Sequence, residues 1–186
     1  MLEELRSRLL ALVFCFIVLV ACFAVGSFTP APEGYVDQLR NMRRWLGKER
    51  EEGVWTLTKS IFLNNVLVSA VGFVPIFGLF WLLFIHYNTG LWLSALASDA
   101  NNGGDFVLTR IYLLVFLFIH PHTWLEFLAY SIAFTQNAYL SYALLFKRKI
   151  SAVKKELKYS VLSALAYASL LFVGAFVESL FIVLGI

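Results

Sequence analysis

The chain has 186 residues, of which 60% are hydrophobic and 17% aromatic, and its formal net charge is +3. That is more apolar surface than one soluble core of this length can hide, so a soluble globular domain is excluded. The basic residues are clustered, with six Lys or Arg and one acid, Glu156, between Lys147 and Lys158. The cluster reads as a positive-inside topology signal, with a lipid-headgroup patch as the other membrane reading; no nucleic-acid partner is expected.

Residues 9–28 form the first apolar run, preceded by Arg6 and Arg8. At about 20 residues it can span a bilayer and exceeds a signal-peptide core. A retained helix is therefore expected, with cleavage near Ala24 or Ala31 as the alternative. Cys15 and Cys22 lie inside this run, cannot pair with each other, and belong to no metal or redox motif. Thr29-Pro30-Ala31-Pro32 ends the helix, because a residue before proline is pushed out of helical conformation.

Residues 35–59 are polar, with Val36, Leu39, Met42 and Leu46 at helical spacing and Arg40, Arg43, Arg44 and Lys48 between them. This pattern predicts an amphipathic helix along the membrane interface, or a soluble helix contacting a partner. Residues 57–74 and 76–97 are the second and third spans, joined only by Gly72-Phe73-Val74-Pro75-Ile76-Phe77-Gly78. So short an uncharged join predicts a hairpin or one broken helix turning in or at the membrane. Ser98–Asp105 reads as a loop, with Asp105 placed to cap the next helix.

Residues 106–120 are apolar apart from Arg110 but short for a crossing, and His120-Pro121 breaks them. Residues 124–146 are long enough to cross, and residues 159–186 form the last span. The expected fold is all-α, a polytopic membrane bundle of five or six spans with a broken-helix hairpin in a single domain, 1–186. A re-entrant 106–120 gives five spans and puts the amino terminus on the same side as the basic loop 147–158. A crossing 106–120 gives six and moves the amino terminus to the other side. Both place the basic loop in the cytoplasm and the carboxyl terminus outside.

Polar side chains at membrane depth are costly and are the main pointer to function. The expected intramembrane polar centre comprises Asn64, Asn65, His86, Asn88, His122 and Glu126. Three readings compete for it. In the first it is a structural hydrogen-bond network, with Glu126 tying down backbone at the broken helix. In the second it lines a pathway for an ion or small solute. In the third, His86, His120, His122 and Glu126 hold zinc and activate water. The zincin spacing is absent, and so are a G-x-S-x-G elbow and a Gly-rich phosphate loop, so the chain does not bind nucleotide itself. Ala129 and Ala133, and Ala164 and Ala168, give small-xxx-small faces for close packing within one chain or between two.

Three pieces of sequence resemble the stage II sporulation protein M family of integral membrane proteins. They are Phe62-Leu63-Asn64-Asn65, Asn88-Thr89-Gly90, and Pro121-His122-Thr123-Trp124-Leu125-Glu126 with Ala129. Two positions depart from the family pattern: Thr123 stands where Gly is usual, and Gly90 is one position late. The resemblance implies an all-helical, self-associating membrane protein. In spore formers the family anchors peptidoglycan-degrading enzymes as a scaffold; it also occurs in non-sporulating bacteria and archaea, and an archaeal source is expected here. The resulting expectation is a non-enzymatic scaffold in the cell membrane, working with the lipid bilayer, other membrane or cell-envelope proteins and a second copy of itself. It needs no cofactor unless the zinc set forms. A transporter or channel component is the alternative, and an intramembrane metal-dependent hydrolase the third.

Overall fold

The structure, a computed structural model, describes residues 2–100 and 105–185. Seven α-helices and no strand occur among them: α1 Leu2–Phe28, α2 Tyr35–Glu51, α3 Val54–Ser69, α4 Phe77–Ala100, α5 Phe106–Ile119, α6 Pro121–Tyr142 and α7 Ile150–Leu184. A 3₁₀ turn, Ala70–Phe73, extends α3, and a π turn, Ala143–Lys147, extends α6.

Several helices are longer than their apolar runs. The basic segment expected as a loop, 147–158, is mostly the start of α7, because Lys and Glu are good helix formers once a helix is nucleated. At 35 residues, α7 is about 52 Å long and projects beyond a hydrocarbon core of about 30 Å. The expected 35–59 helix is two helices, since Gly53 has φ 104° and turns the chain between α2 and α3. The expected loop Ser98–Asp105 is shorter than the sequence implies, as α4 runs on to Ala100; residues 101–104 lie outside the described residues. Asp105 caps α5 as its position predicts, its carboxylate accepting from the Val107 and Leu108 amides at 2.8 and 3.3 Å.

The helix ends sort into two groups. At one end, Arg8 donates to Glu156 at 2.8 Å and Lys155 to Glu4 at 2.8 Å, so the start of α1 and the basic start of α7 share a side. At the other end, Arg40 and Arg43 of α2 both hold Asp99 of α4, at 3.1 and 3.0 Å, and Arg50 donates to the Val183 carbonyl of α7 at 3.2 Å.

Both ends of α5 belong to this second group. Arg110 donates to the Phe28 carbonyl at 2.7 Å, and the His120 ring lies 5.1 Å from that of Phe181. Helix α5 therefore does not cross. It meets α6 at a bend of 82°. Four helices (α1, α3 with its 3₁₀ turn, α4 and α7) are long and apolar enough to span, and the bent α5–α6 pair supplies at most one more. Of the two expected counts, five spans fits.

Helix α6 runs through the middle, packed on α1, α4 and α7. Its buried face carries Ser131, Thr135, Gln136, Asn137 and Ser141, while Phe14, Ile17, Phe80, Phe84, Val161 and Leu165 of the surrounding helices point outward. The apolar core joins Leu19, Phe23, Leu82, Phe127, Tyr167 and Leu171. Ala129 and Ala133 are fully buried in it, so this small-residue face serves packing within the chain.

Helices α1 and α4 touch backbone to backbone at Gly26 and Gly90. A methyl group at Gly90 would sit 2.6 Å from the Ser27 nitrogen, with the Phe23 carbonyl closer still. Close approach of this kind substitutes for the hydrophobic drive that helices lack in lipid. Gly90→Ala is expected to lower the thermal midpoint of the detergent-purified protein, at a cost of roughly 1–3 kcal/mol. Gly47→Ala, on α2 with nothing within 4 Å of the added carbon, is expected to raise it slightly, by about 0.5–1 kcal/mol. Equal midpoints for the two variants would contradict the close crossing.

Candidate functional site

Two interruptions of the helical backbone expose groups that lipid cannot satisfy. The first is the α3–α4 turn, where Ile76 has φ 66°. Asn137 of α6 reaches it: its Nδ2 donates to the Gly72 and Val74 carbonyls at 2.5 and 2.7 Å. The Ile76 amide donates to Asn137 Oδ1 at 3.2 Å and to Ser141 Oγ at 2.7 Å. The second is the α5–α6 bend, where the last carbonyls of α5 lose their partners. His120 Nδ1 donates to the Phe116 carbonyl at 2.7 Å, Thr123 Oγ1 to Leu117 at 2.8 Å and Trp124 Nε1 to Phe118 at 2.7 Å. Pro121 opens α6 at a position where a missing N–H costs nothing. The sequence reading gave Glu126 the task of tying down this break; His120, Thr123 and Trp124 perform it. Thr123, the departure from the family's Gly, thus has a use here.

Five of the six expected polar residues meet. Asn64, Asn65, His86, His122 and Glu126 line one cavity of about 230 Å³, together with Tyr130 and Glu178. Asn65 Nδ2 donates to Glu126 Oε1 at 2.7 Å, fixing α3 to α6. Asn88 is elsewhere: its Oδ1 accepts from the Tyr35 hydroxyl at 2.5 Å, pinning α2 to α4. Residues two apart on a helix point to different sides, so His86 and Asn88 could not share one centre. His120, between α5 and α6, does not line this cavity but a neighbouring pocket beside Phe181, which His122 lines as well.

The expected zinc set of His86, His120, His122 and Glu126 is not gathered. Among the described residues, no three His, Cys, Asp or Glu side chains are grouped closely enough to hold a metal ion. His86 and His120 each commit Nδ1 to a carbonyl one turn back, on Leu82 and Phe116, which orients the rings within their own helices.

Sequence reasoning missed three polar elements. Glu178 reads as isolated along the chain, yet it lines the cavity with Glu126. Arg8 lies between the Tyr139 and Tyr159 rings, at 4.4 and 4.1 Å, and holds Glu156 while Gln136 donates to the Glu156 carbonyl at 2.9 Å. Arg110, buried among α1, α4 and α5, donates to Ser94 Oγ at 2.8 Å and covers the carbonyl end of α1. A charge inside an apolar run was the signal for Glu178 and Arg110.

The Asn65–Glu126 pair sets an expectation for stability. Asn65→Leu removes the donor and leaves a buried carboxylate unmatched, at a cost of roughly 1–3 kcal/mol. Adding Glu126→Leu is expected to recover much of that loss, since a matched apolar pair costs less than an orphaned polar group. Thermal unfolding of the single and double variants checks this; additive losses would contradict it.

No curated protein and no solved structure matches the chain. The family model described as stage II sporulation protein M matches residues 10–181. That match runs from the first span through the cavity to the last turns of α7, and the chain belongs to the stage II sporulation protein M family of membrane proteins.

Proposed function

We propose that this protein is a non-enzymatic membrane scaffold that organises a complex of other membrane or cell-envelope proteins, with a second copy of itself in the assembly. One observation carries the reading: most polar side chains inside the helix bundle are used to hold helices and backbone breaks in place. Asn137 and Ser141 close one break, Thr123 and Trp124 the other, and Arg8, Gln136 and Glu156 bind α1, α6 and α7 together. A scaffold needs such rigidity. The presenting element is α2, held to α4 by two arginines on Asp99, with Met42 and Trp45 exposed.

In this reading the protein sits in the cell membrane. The Lys147–Lys158 end, with Arg6 and Arg8 beside it, faces the cytoplasm, and α2 and the carboxyl terminus lie outside. The cavity around Glu126 is the feature that a purely structural role leaves unused.

Site-specific photo-crosslinking in native membranes tests the scaffold. A photoreactive residue at Trp45 or Met42 is expected to give discrete protein adducts, including one at twice the chain mass. The same probe at Leu10 or Val13, on the outward face of α1, is expected to give none of these. Absence of protein adducts from α2 would contradict the proposal.

A further inference from the structure

The geometry points to the cavity around Glu126 and Glu178 as a binding site for a small protonated amine, admitted at the α5–α6 bend. The first argument is charge. Both carboxylates line the cavity, and no Lys or Arg does. Neither carboxylate forms an ion pair among the described residues, and Glu178 makes no hydrogen bond there. A carboxylate in a low-dielectric interior is costly without a compensating cation, and the protein supplies none.

The second argument is the pattern of donors and acceptors. His86 is only 4% exposed, and its Nδ1 donates to the Leu82 carbonyl at 2.7 Å. Its Nε2 therefore carries a lone pair, and that buried atom has no partner. Two nearby hydroxyl hydrogens are already committed, Thr89 to the Ile85 carbonyl and Thr123 to the Leu117 carbonyl, both at 2.8 Å. The lining thus offers Glu126, Glu178 and His86 Nε2 as acceptors to an occupant rich in N–H groups, beside the Tyr130 hydroxyl and the Asn64 amide. An ammonium head, with three donors and one positive charge, fits that demand.

Size and walls narrow the class. About 230 Å³ lies below the roughly 300–1,000 Å³ of sites for drug-sized ligands, so the occupant is small. Phe127 and Tyr130 pack edge-on against the His86 ring, with centroids 5.3 and 4.9 Å away. Aromatic rings in the lining beside the two carboxylates favour an organic ammonium over a strongly hydrated metal cation.

One route in lies at the α5–α6 bend, and Asn64, Val68 and Thr89 of the lining are exposed as well. A second pocket of about 170 Å³ shares Leu117, His122 and Glu178 with the cavity and lies beside Phe181 at the bend. Towards the α3–α4 turn lie Ser69, hydrogen-bonded to Tyr167, and then Asn137.

The probe is methylammonium, titrated calorimetrically into the full detergent-purified chain, with sodium and potassium at matched ionic strength as comparisons. Saturable methylammonium binding is expected, weakened at least tenfold in Glu178→Gln and in Glu126→Gln. Glu178→Gln has no hydrogen bond to lose, and an unchanged melting temperature without ligand shows that it folds. Methylammonium is also expected to raise the melting temperature of the wild type but not of Glu178→Gln. Three results would overturn the proposal: no saturable binding to the wild type, equal binding to Glu178→Gln, or equal Glu178-dependent binding of sodium or potassium.

Discussion

Lipid offers no hydrogen bonds, so a chain that breaks its helices at membrane depth must repair each break from within. This protein breaks twice, at Val74-Pro75-Ile76 and at His120-Pro121. Both repairs involve α6. Its first turn supplies Thr123 and Trp124 to the carbonyl end of α5, and its later turns supply Asn137 and Ser141 to the α3–α4 turn. The polar character of α6 follows from that duty, and so does its central place. A helix carrying Gln136, Asn137 and Glu126 is tolerable in a membrane only when α1, α3, α4 and α7 surround it.

The rest of the architecture follows from seating this helix. Ala129 and Ala133 let its neighbours come close, and Tyr167 and Leu171 of α7 fill the space beside them. Glycines at 26 and 90 bring α1 and α4 into contact, which closes the wall on the other side. At the basic end Arg8, Glu156 and Gln136 tie three helices, and at the far end Arg110 and Asp99 anchor α5 and α2. Between these two polar layers lies a cavity whose carboxylates accept from no backbone group among the described residues, Glu126 holding only the Asn65 side chain.

Much of the fold was legible because hydropathy and proline are local signals. The apolar runs located the spans, and the short 106–120 segment with its broken end already suggested a helix that does not cross. The helix extensions at Leu2–Arg8 and Ile150–Lys158 were not legible, since charged residues that continue a helix leave no hydropathy trace. The site was half legible. Asn65 and Glu126 meet, whereas Asn88, two residues from His86 on α4, faces Tyr35 instead, as residues two apart on a helix face different ways. Glu178 and Asn137 gained their meaning only from partners far along the chain, and no single-sequence pattern reports those. Within the family motifs, Asn65 and Glu126 meet, and Gly90 is required by the Ser27 backbone.

The dependence of the α3–α4 turn on α6 can be measured by amide hydrogen exchange in lipid nanodiscs, comparing the wild type with Asn137→Leu. Slow exchange of the Gly72–Gly78 segment in the wild type and fast exchange in the variant, with α7 unchanged in both, is the expected result. Equally slow exchange in the two proteins would show that the turn holds without Asn137 and would contradict the central role assigned to α6.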